Sequence, residues 1–385
     1  MVKRKVLIVI HQLNIGGVQK SLISALNAID YSQNEVTLYV RQNRLDLLNQ
    51  VNKNVYKIIV NQDKTRYYRK PYAVWLQLLE RIHHKEIRQQ KLKQYIIDAQ
   101  MQFEKSHYFS NDCVYDIAIS YISGTYCEFV SECIPAKRKI CFHFGSTNDC
   151  PEVYSVHFPR FDCIVSDSNG SVQVLRKCYP ELASRIRCIK NYVDYKQIIE
   201  QANKETINVP EDKIILCSCG RFTNVKGFDL AIETAKILKD QKLDFLWFFV
   251  GDGSERKKIE KLIQDNNLSR NIMITGLVNN PFVYINCCNI YVQPSREESY
   301  GLTITEALVL KKIVVSTKTV GGCEQIHDRE NGILTEINAA SIANGICLCL
   351  NNRLLAKSIK KNLDSIDNDI DYYRYCDDWK KLLEG

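Results

Sequence analysis

In the stretch PSREESYGLTITEAL, residues 294–308, the carboxylates of Glu298 and Glu306 stand eight positions apart on either side of Gly301. Just ahead of it, NIYVQPS (289–295) has the β-branched and aromatic content of a short buried strand. Beyond the glycine, GLTITEALVL places apolar residues at 302, 304, 308 and 310, the spacing of one helix face. A strand that turns directly into a helix is the unit from which parallel sheets are assembled. Within that unit Glu298 falls on the loop and Glu306 inside the helix, among Ile304, Ala307 and Leu308, where a carboxylate requires a hydrogen-bond partner. Gly301, Leu302 and Thr303 open the helix with free N–H groups, which makes a seat for an anion.

The same alternation extends in both directions. Short apolar runs predict strands at 5–10, 35–40, 55–60, 116–121, 139–144, 163–168 and 185–190, and again at 213–220, 245–251, 272–276, 289–295 and 312–317, with helical patterns between them. A chain of 385 residues exceeds what one core usually organises, and each half has strands enough for its own doubly wound sheet. The expected organisation is an α/β chain with a Rossmann-like domain over 1–192 and a second over 193–366. NYVDYKQI (191–198) crosses between them, and an amphipathic helix over 367–385 packs back on the first domain. Two such domains leave a cleft at the carboxyl ends of their strands, where open α/β sheets bind ligands.

Composition limits the alternatives. With 45% hydrophobic and 25% charged residues the chain is globular, and no run of eighteen apolar residues predicts a membrane span. The apolar run Val6 to Ile10 is too short for a secretory signal, so a cytosolic protein is expected. The 16 cysteines fall inside apolar runs such as IILCSCG and ICLCL and contain no C-x-x-C pair; they read as reduced thiols used as small core residues. The net charge of +8 is uneven. Residues 64–95 combine Lys and Arg with Tyr67, Tyr68, Tyr72 and Trp75, which suits a helix lying on an anionic membrane and equally a solvated helix with its Leu face on the domain. No nucleic-acid module accompanies that segment.

Three further loops follow predicted strands. In HQLNIGGVQKSL, Gly16 and Gly17 let a ligand approach the backbone at a helix start, although a glycine pair also serves as a bare turn. In GRFTNVKGFDLAIETAKIL, Arg221 and Lys226 converge on the N-terminus of a helix that begins at Gly227, a fit for a diphosphate. In FLWFFVGDGSERKK, Gly251 and Gly253 read as a tight βα turn, and with Arg256 where a third glycine would be needed a dinucleotide fingerprint is absent. His143, at the end of the 139–144 run, reads by itself as a satisfied core histidine.

Taken in order, NIGGVQKSL, GRFTNVKGFD, VGDGSERKKIEKLI, ITGLVNN, PSREESYGLTITEAL and VGGCEQI resemble the retaining GT-B glycosyltransferases of family four. The resemblance is strongest from 213 to about 335 and rests on fewer marks in the first half. It implies a GT-B fold, two Rossmann-like domains facing across a cleft, and transfer of a sugar from a nucleotide-sugar, with UDP-sugars expected first. By the same resemblance Arg221 and Lys226 hold the donor diphosphate, helped by the backbone at Gly16 and Gly17 and by the amides near Gly301, Leu302 and Thr303. Glu306 accepts from the ribose hydroxyls. Glu298 meets the donor sugar as nucleophile or as orienting group, and His143 meets that sugar from the other domain. No metal or other cofactor is implied. The expected partners are a nucleotide-sugar and a saccharide acceptor, lipid-linked and reached from the inner membrane face, for surface polysaccharide synthesis. A nucleotide-sugar 2-epimerase and a non-catalytic nucleotide-sugar-binding subunit share the architecture.

Overall fold

The computed structural model describes residues 2–62, 85–109, 114–124, 127–145, 156–365 and 369–385. Among them are two parallel sheets. The first contains β1 (Arg4–Ile10), β2 (Asn34–Val40), β3 (Lys57–Val60), β4 (Tyr115–Ser120), β5 (Ala136–His143), β6 (Cys163–Ser166) and β7 (Ile186–Cys188), in the order β3-β2-β1-β4-β5-β6-β7. The second contains β8 (Ile214–Cys219), β9 (Phe245–Val250), β10 (Ile272–Gly276), β11 (Ile290–Gln293), β12 (Ile313–Thr317) and β13 (Gly332–Thr335), in the order β10-β9-β8-β11-β12-β13. Helices α1 (Gly17–Ala28), α2 (Lys85–Tyr108), α3 (Glu128–Cys133) and α4 (Asn169–Cys178) belong to the first sheet's stretch of chain. Those of the second are α5 (Tyr195–Ala202), α6 (Phe228–Asp240), α7 (Arg256–Asp265), α8 (Phe282–Cys287), α9 (Leu302–Val309), α10 (Val320–Gln325), α11 (Ala339–Asn351) and α12 (Arg353–Asp364), with α13 (Asp369–Glu384) last.

The near-continuous apolar runs arise because both faces of each sheet are covered. From β1, Val6, Ile8 and Ile10 enter one core while Leu7 and Val9 enter the other. From β9, Phe245, Trp247 and Phe249 face one way, Phe248 and Val250 the other. In each sheet the strand order reverses once, between β1 and β4 and between β8 and β11, and a crevice at the carboxyl ends of such a pair is where this topology binds ligands.

All twelve expected strands form. The thirteenth, β13, was not anticipated: its four residues GILT pair only with β12 at the sheet edge, too short a run to stand out from its polar flanks. The expectation of reduced cysteines holds for thirteen described thiols, among them Cys217, Cys219 and Cys349, and fails at Cys178, which is disulfide-bonded. Disulfide pairing follows spatial approach, which spacing along the chain does not reveal. Of the basic, aromatic segment 64–95, residues 64–84 lie outside the described residues, and the remainder begins α2. No helix among the described residues is long and apolar enough to cross a membrane.

The last helix returns to the first sheet. Tyr375, Trp379, Leu382 and Leu383 of α13 join the same apolar cluster as β1, β2, β4 and β5. Trp379 is fully buried and its ring stacks on Phe142 at a centroid distance of 5.3 Å. Arg138 Nη1 donates to the Leu382 carbonyl at 2.6 Å. Trp379→Ala should therefore cost about 3–5 kcal/mol, the range for deleting a buried aromatic, with Trp379→Phe losing much less. Calorimetric melting of both variants checks this, and equal Tm values for Ala and wild type would contradict the anchoring role.

Candidate active site

The second sheet's switch point brings together the loops that follow β8 and β11. After β8 the chain passes Arg221 and makes a single tight turn over Asn224–Lys226. Gly227 then takes left-handed φ of 67°, and a Cβ there would stand 2.0 Å from the Pro294 carbonyl oxygen, so only glycine lets α6 start this close to the β11 loop. The two loops are also tied by polar contacts. The Arg296 amide donates to the Val225 carbonyl at 2.8 Å, and the Arg296 guanidinium grips both oxygens of Asp229 at 2.7 and 2.8 Å. Burial raises the Asp229 carboxyl, but the Arg296 fork overrides it and holds the group below its ordinary value.

This clamp brings Lys226 to Glu298, with Nζ 2.6 Å from Oε1. Gln293 Nε2 and Ser295 Oγ each donate to the same oxygen at 2.8 Å. Gln293 is itself fixed, since its Oε1 accepts from Tyr291 Oη at 2.8 Å and Thr303 Oγ1 at 3.0 Å. Glu298 is thus a buried carboxylate with one oxygen saturated by three donors. Its Oε2 receives no hydrogen bond from the described residues.

Gly301, with φ of 86°, turns the loop into α9 and caps it with no side-chain hydrogen bond, so the first-turn amides at Leu302 and Thr303 are left for a ligand. One turn later Glu306, 2% exposed, receives Lys20 Nζ at 2.8 Å. Lys20 belongs to α1 of the other domain, so this ion pair spans the cleft. Burial alone would lower the Lys20 ammonium; the Glu306 carboxylate outweighs it and the net shift is upward.

From the first domain the glycine loop after β1 reaches the same place. A Cβ on Gly16 would lie 3.7 Å from an Arg221 guanidinium nitrogen, and one on Gly17 would lie 3.7 Å from Leu302 Cδ1. Arg221 is exposed and makes no ion pair with the described residues. Gly16, Gly17, Arg221, Lys226, Glu298, Gly301, Leu302, Thr303 and Glu306 therefore surround one cleft. His143 ends β5, 3% exposed, with Nδ1 2.9 Å from Ser123 Oγ, and the partners described for it lie in the first domain. Burial pushes its ring down to about 4, so it is neutral near pH 7.

Sequence reasoning missed Lys20, Gln293 and Arg296. Lys20 stands three residues after Gly17, and a helix places it on the glycines' side one turn on; its partner is 286 positions away, which no local pattern shows. Among the described residues, the assembled site has a guanidinium without an ion pair and helix amides without a side-chain cap for an anion, and two fixed carboxylates for hydroxyl groups. Its electrostatics suit a ligand that is anionic at one part and rich in hydroxyls at others.

Comparison with known proteins agrees with this geometry. A profile described as glycosyl transferases group 1 matches residues 199–365. The chain is 29% identical over 210 residues to the lipopolysaccharide core biosynthesis glycosyltransferase LpsE of Rhizobium meliloti, an alignment covering 54% of this chain and 59% of that protein. It is 27% identical over 234 residues to the N-acetylgalactosamine-N,N'-diacetylbacillosaminyl-diphospho-undecaprenol 4-alpha-N-acetylgalactosaminyltransferase of Campylobacter jejuni, covering 60% of this chain and 62% of that one. The chain thus spans about three fifths of the length of these curated relatives. Among solved structures, a glycosyltransferase from Rickettsia africae superposes with a TM-score of 0.69 at 19% identity, covering 100% of this chain and 99% of the other. HepE of Anabaena in complex with UDP-glucose gives 0.69 at 16% identity, covering 99% and 98%. These likenesses are of fold. The match to the glycosyl transferases group 1 family thus lies in the second domain, over residues 199–365, and the likeness of the whole chain to these proteins is one of fold.

Proposed function

We propose that this protein is a retaining glycosyltransferase that moves a sugar from a UDP-sugar to a saccharide acceptor in surface polysaccharide synthesis. The observation that carries the reading is the convergence of Arg221, Lys226, the Gly16–Gly17 loop and the α9 amides on one cleft, opposite two fixed carboxylates. The UDP donor is supported by HepE, crystallised with UDP-glucose, and the polysaccharide setting by the names of LpsE and the Campylobacter enzyme. In this reading residues 1–192 receive the acceptor and 193–366 the donor.

The bond that breaks joins the anomeric carbon to a phosphate oxygen. Negative charge grows on the leaving diphosphate, which Arg221 and the α9 amides receive, while Lys226, held by Glu298, adds its charge beside them. Because those fixed cations neutralise the leaving group, turnover requires no divalent ion. The acceptor hydroxyl attacks on the face the diphosphate leaves, and its proton passes to the departing phosphate oxygen. Glu306 accepts from the ribose hydroxyls. Glu298, its Oε1 saturated by three donors, offers Oε2 to the sugar as an orienting group; that saturation makes it a weak nucleophile. His143, neutral near pH 7, contacts the sugar from the first domain.

Release of UDP and transfer of radiolabelled sugar should fall well over tenfold in Arg221→Ala and in Glu298→Gln, since one well-placed donor contributes about 3–4 kcal/mol, while circular dichroism shows both folded. Wild-type turnover in either would refute the assignment. EDTA should leave the wild-type rate unchanged, and loss of activity restored by Mg²⁺ would overturn metal independence. If the acceptor is lipid-linked and 64–95 is the membrane contact, the protein should co-sediment with anionic vesicles at low salt and dissociate at high salt; no binding at low salt would remove the lipid-linked acceptor from the reading.

A further inference from the structure

No apolar cluster among the described residues draws strands from both sheets, and ion pairs and hydrogen bonds span the seam between the domains. Such an interface leaves relative motion of the domains as the default. On this seam the loop that holds Glu298 is gripped from the opposite domain at its next residue, Ser299. The Ser299 hydroxyl donates to Asp167 Oδ1 and lies 3.0 Å from Ser171 Oγ. Asp167 follows β6 at its carboxyl end, and its Oδ2 accepts from Asn191 Nδ2 at 3.1 Å. Asn191 accepts in turn from Ser21, whose hydroxyl is 2.9 Å from Tyr121 Oη. A hydrogen-bonded chain thus runs from the first core to the loop of Glu298.

Asp167 is 5% exposed, and among the described residues no cation pairs with it. The titratable groups around it are Glu298, Tyr300 and Glu324 from the second domain and Tyr121 and Cys188 from the first. The cations on the adjoining segments are already engaged, Lys226 with Glu298 at 2.6 Å and Lys190 with Glu324 at 2.7 Å. A carboxylate so placed has lost its water and gained no positive charge.

We propose that Asp167 is a positioning residue: carrying a proton, it clasps Ser299 across the cleft and sets the loop of Glu298, so that closure takes up one proton from solvent. The balance is simple. The proton binds an Asp167 oxygen, that O–H donates to Ser299 Oγ, and Ser299 turns its own hydrogen toward Ser171. No other bond changes. Burial, opposed by the Ser299 and Asn191 hydrogen bonds and reinforced by the Glu298 charge, pushes Asp167 up to about 7 in this closed arrangement. In an open cleft it returns toward an ordinary carboxylate near 4. Since the closed value is the higher, the clasp's contribution to closure is fully present below about pH 4 and is lost as pH rises through about 7.

The clasp rests on the reading of Glu298 as facing the donor sugar, but its test does not. Small-angle scattering of the ligand-free full chain, from about pH 5.5 to about 8.5, should show the radius of gyration growing as pH passes about 7. Asp167→Asn, whose amide stays neutral and still hydrogen-bonds, should remain compact throughout, and Ser299→Ala should be expanded throughout. A wild-type radius that does not change, or an Asp167→Asn transition at the wild-type midpoint, would overturn the proposal. In the transfer assay the same group predicts an alkaline loss of kcat with little change in KM, abolished in Asp167→Asn; a wild-type kcat profile retained in that variant also counts against it. If no nucleotide-sugar is turned over, the scattering result still decides the clasp while the proposed activity fails separately.

Discussion

The close passage of the Pro294 carbonyl over Gly227 is the contact on which the rest of the site depends. It forces the loops after β8 and β11 into one another, and with them Lys226 onto Glu298. A side chain at position 227 would need both a left-handed backbone and space that the carbonyl occupies. The Arg296–Asp229 fork adds a second tie at the same junction, so the carboxylate is held by its surroundings before any ligand arrives. Preorganisation of this kind lets fixed groups stabilise developing charge without reorganising at the moment of reaction.

The two halves of the molecule use different physics. Within each domain the sheets are covered on both faces by apolar side chains, and α13 extends the first core with Trp379. The contacts between the domains include ion pairs and hydroxyls: Lys20 with Glu306, Lys190 with Glu324, Ser299 with Asp167 and Ser171. Such contacts exchange readily with water, whereas a shared apolar core would lock the cleft. The activity proposed above, in which a donor and an acceptor enter, water is excluded and products leave, would gain from that division.

Much of this was legible in the sequence. Most of the twelve strands found by pattern carry runs of buried apolar residues, as in β1, β2, β9 and β11, and the partly exposed edge strands β3 and β10 still show short apolar runs. Glu298, Glu306, Arg221, Lys226 and the Gly16–Gly17 pair were legible because each follows a strand and adjoins a helix start, and that position in the chain fixes the edge of the sheet they occupy. The strand β13 was not, since its run GILT holds only two large apolar residues, Ile333 and Leu334, between polar flanks. Cys178 was misread because thiol pairing depends on distances in space.

The sequence by itself determined the local elements, their parallel order and the residue types at the cleft, because periodicity and strand-end position are properties of neighbours along the chain. Only the tertiary structure decided which groups face each other: Lys20 with Glu306, Asp167 with Ser299, three donors on a single oxygen of Glu298. These partners come from different elements, and in the first two cases from different domains. Their pairing is set by how two sheets pack, which no local pattern of side chains encodes.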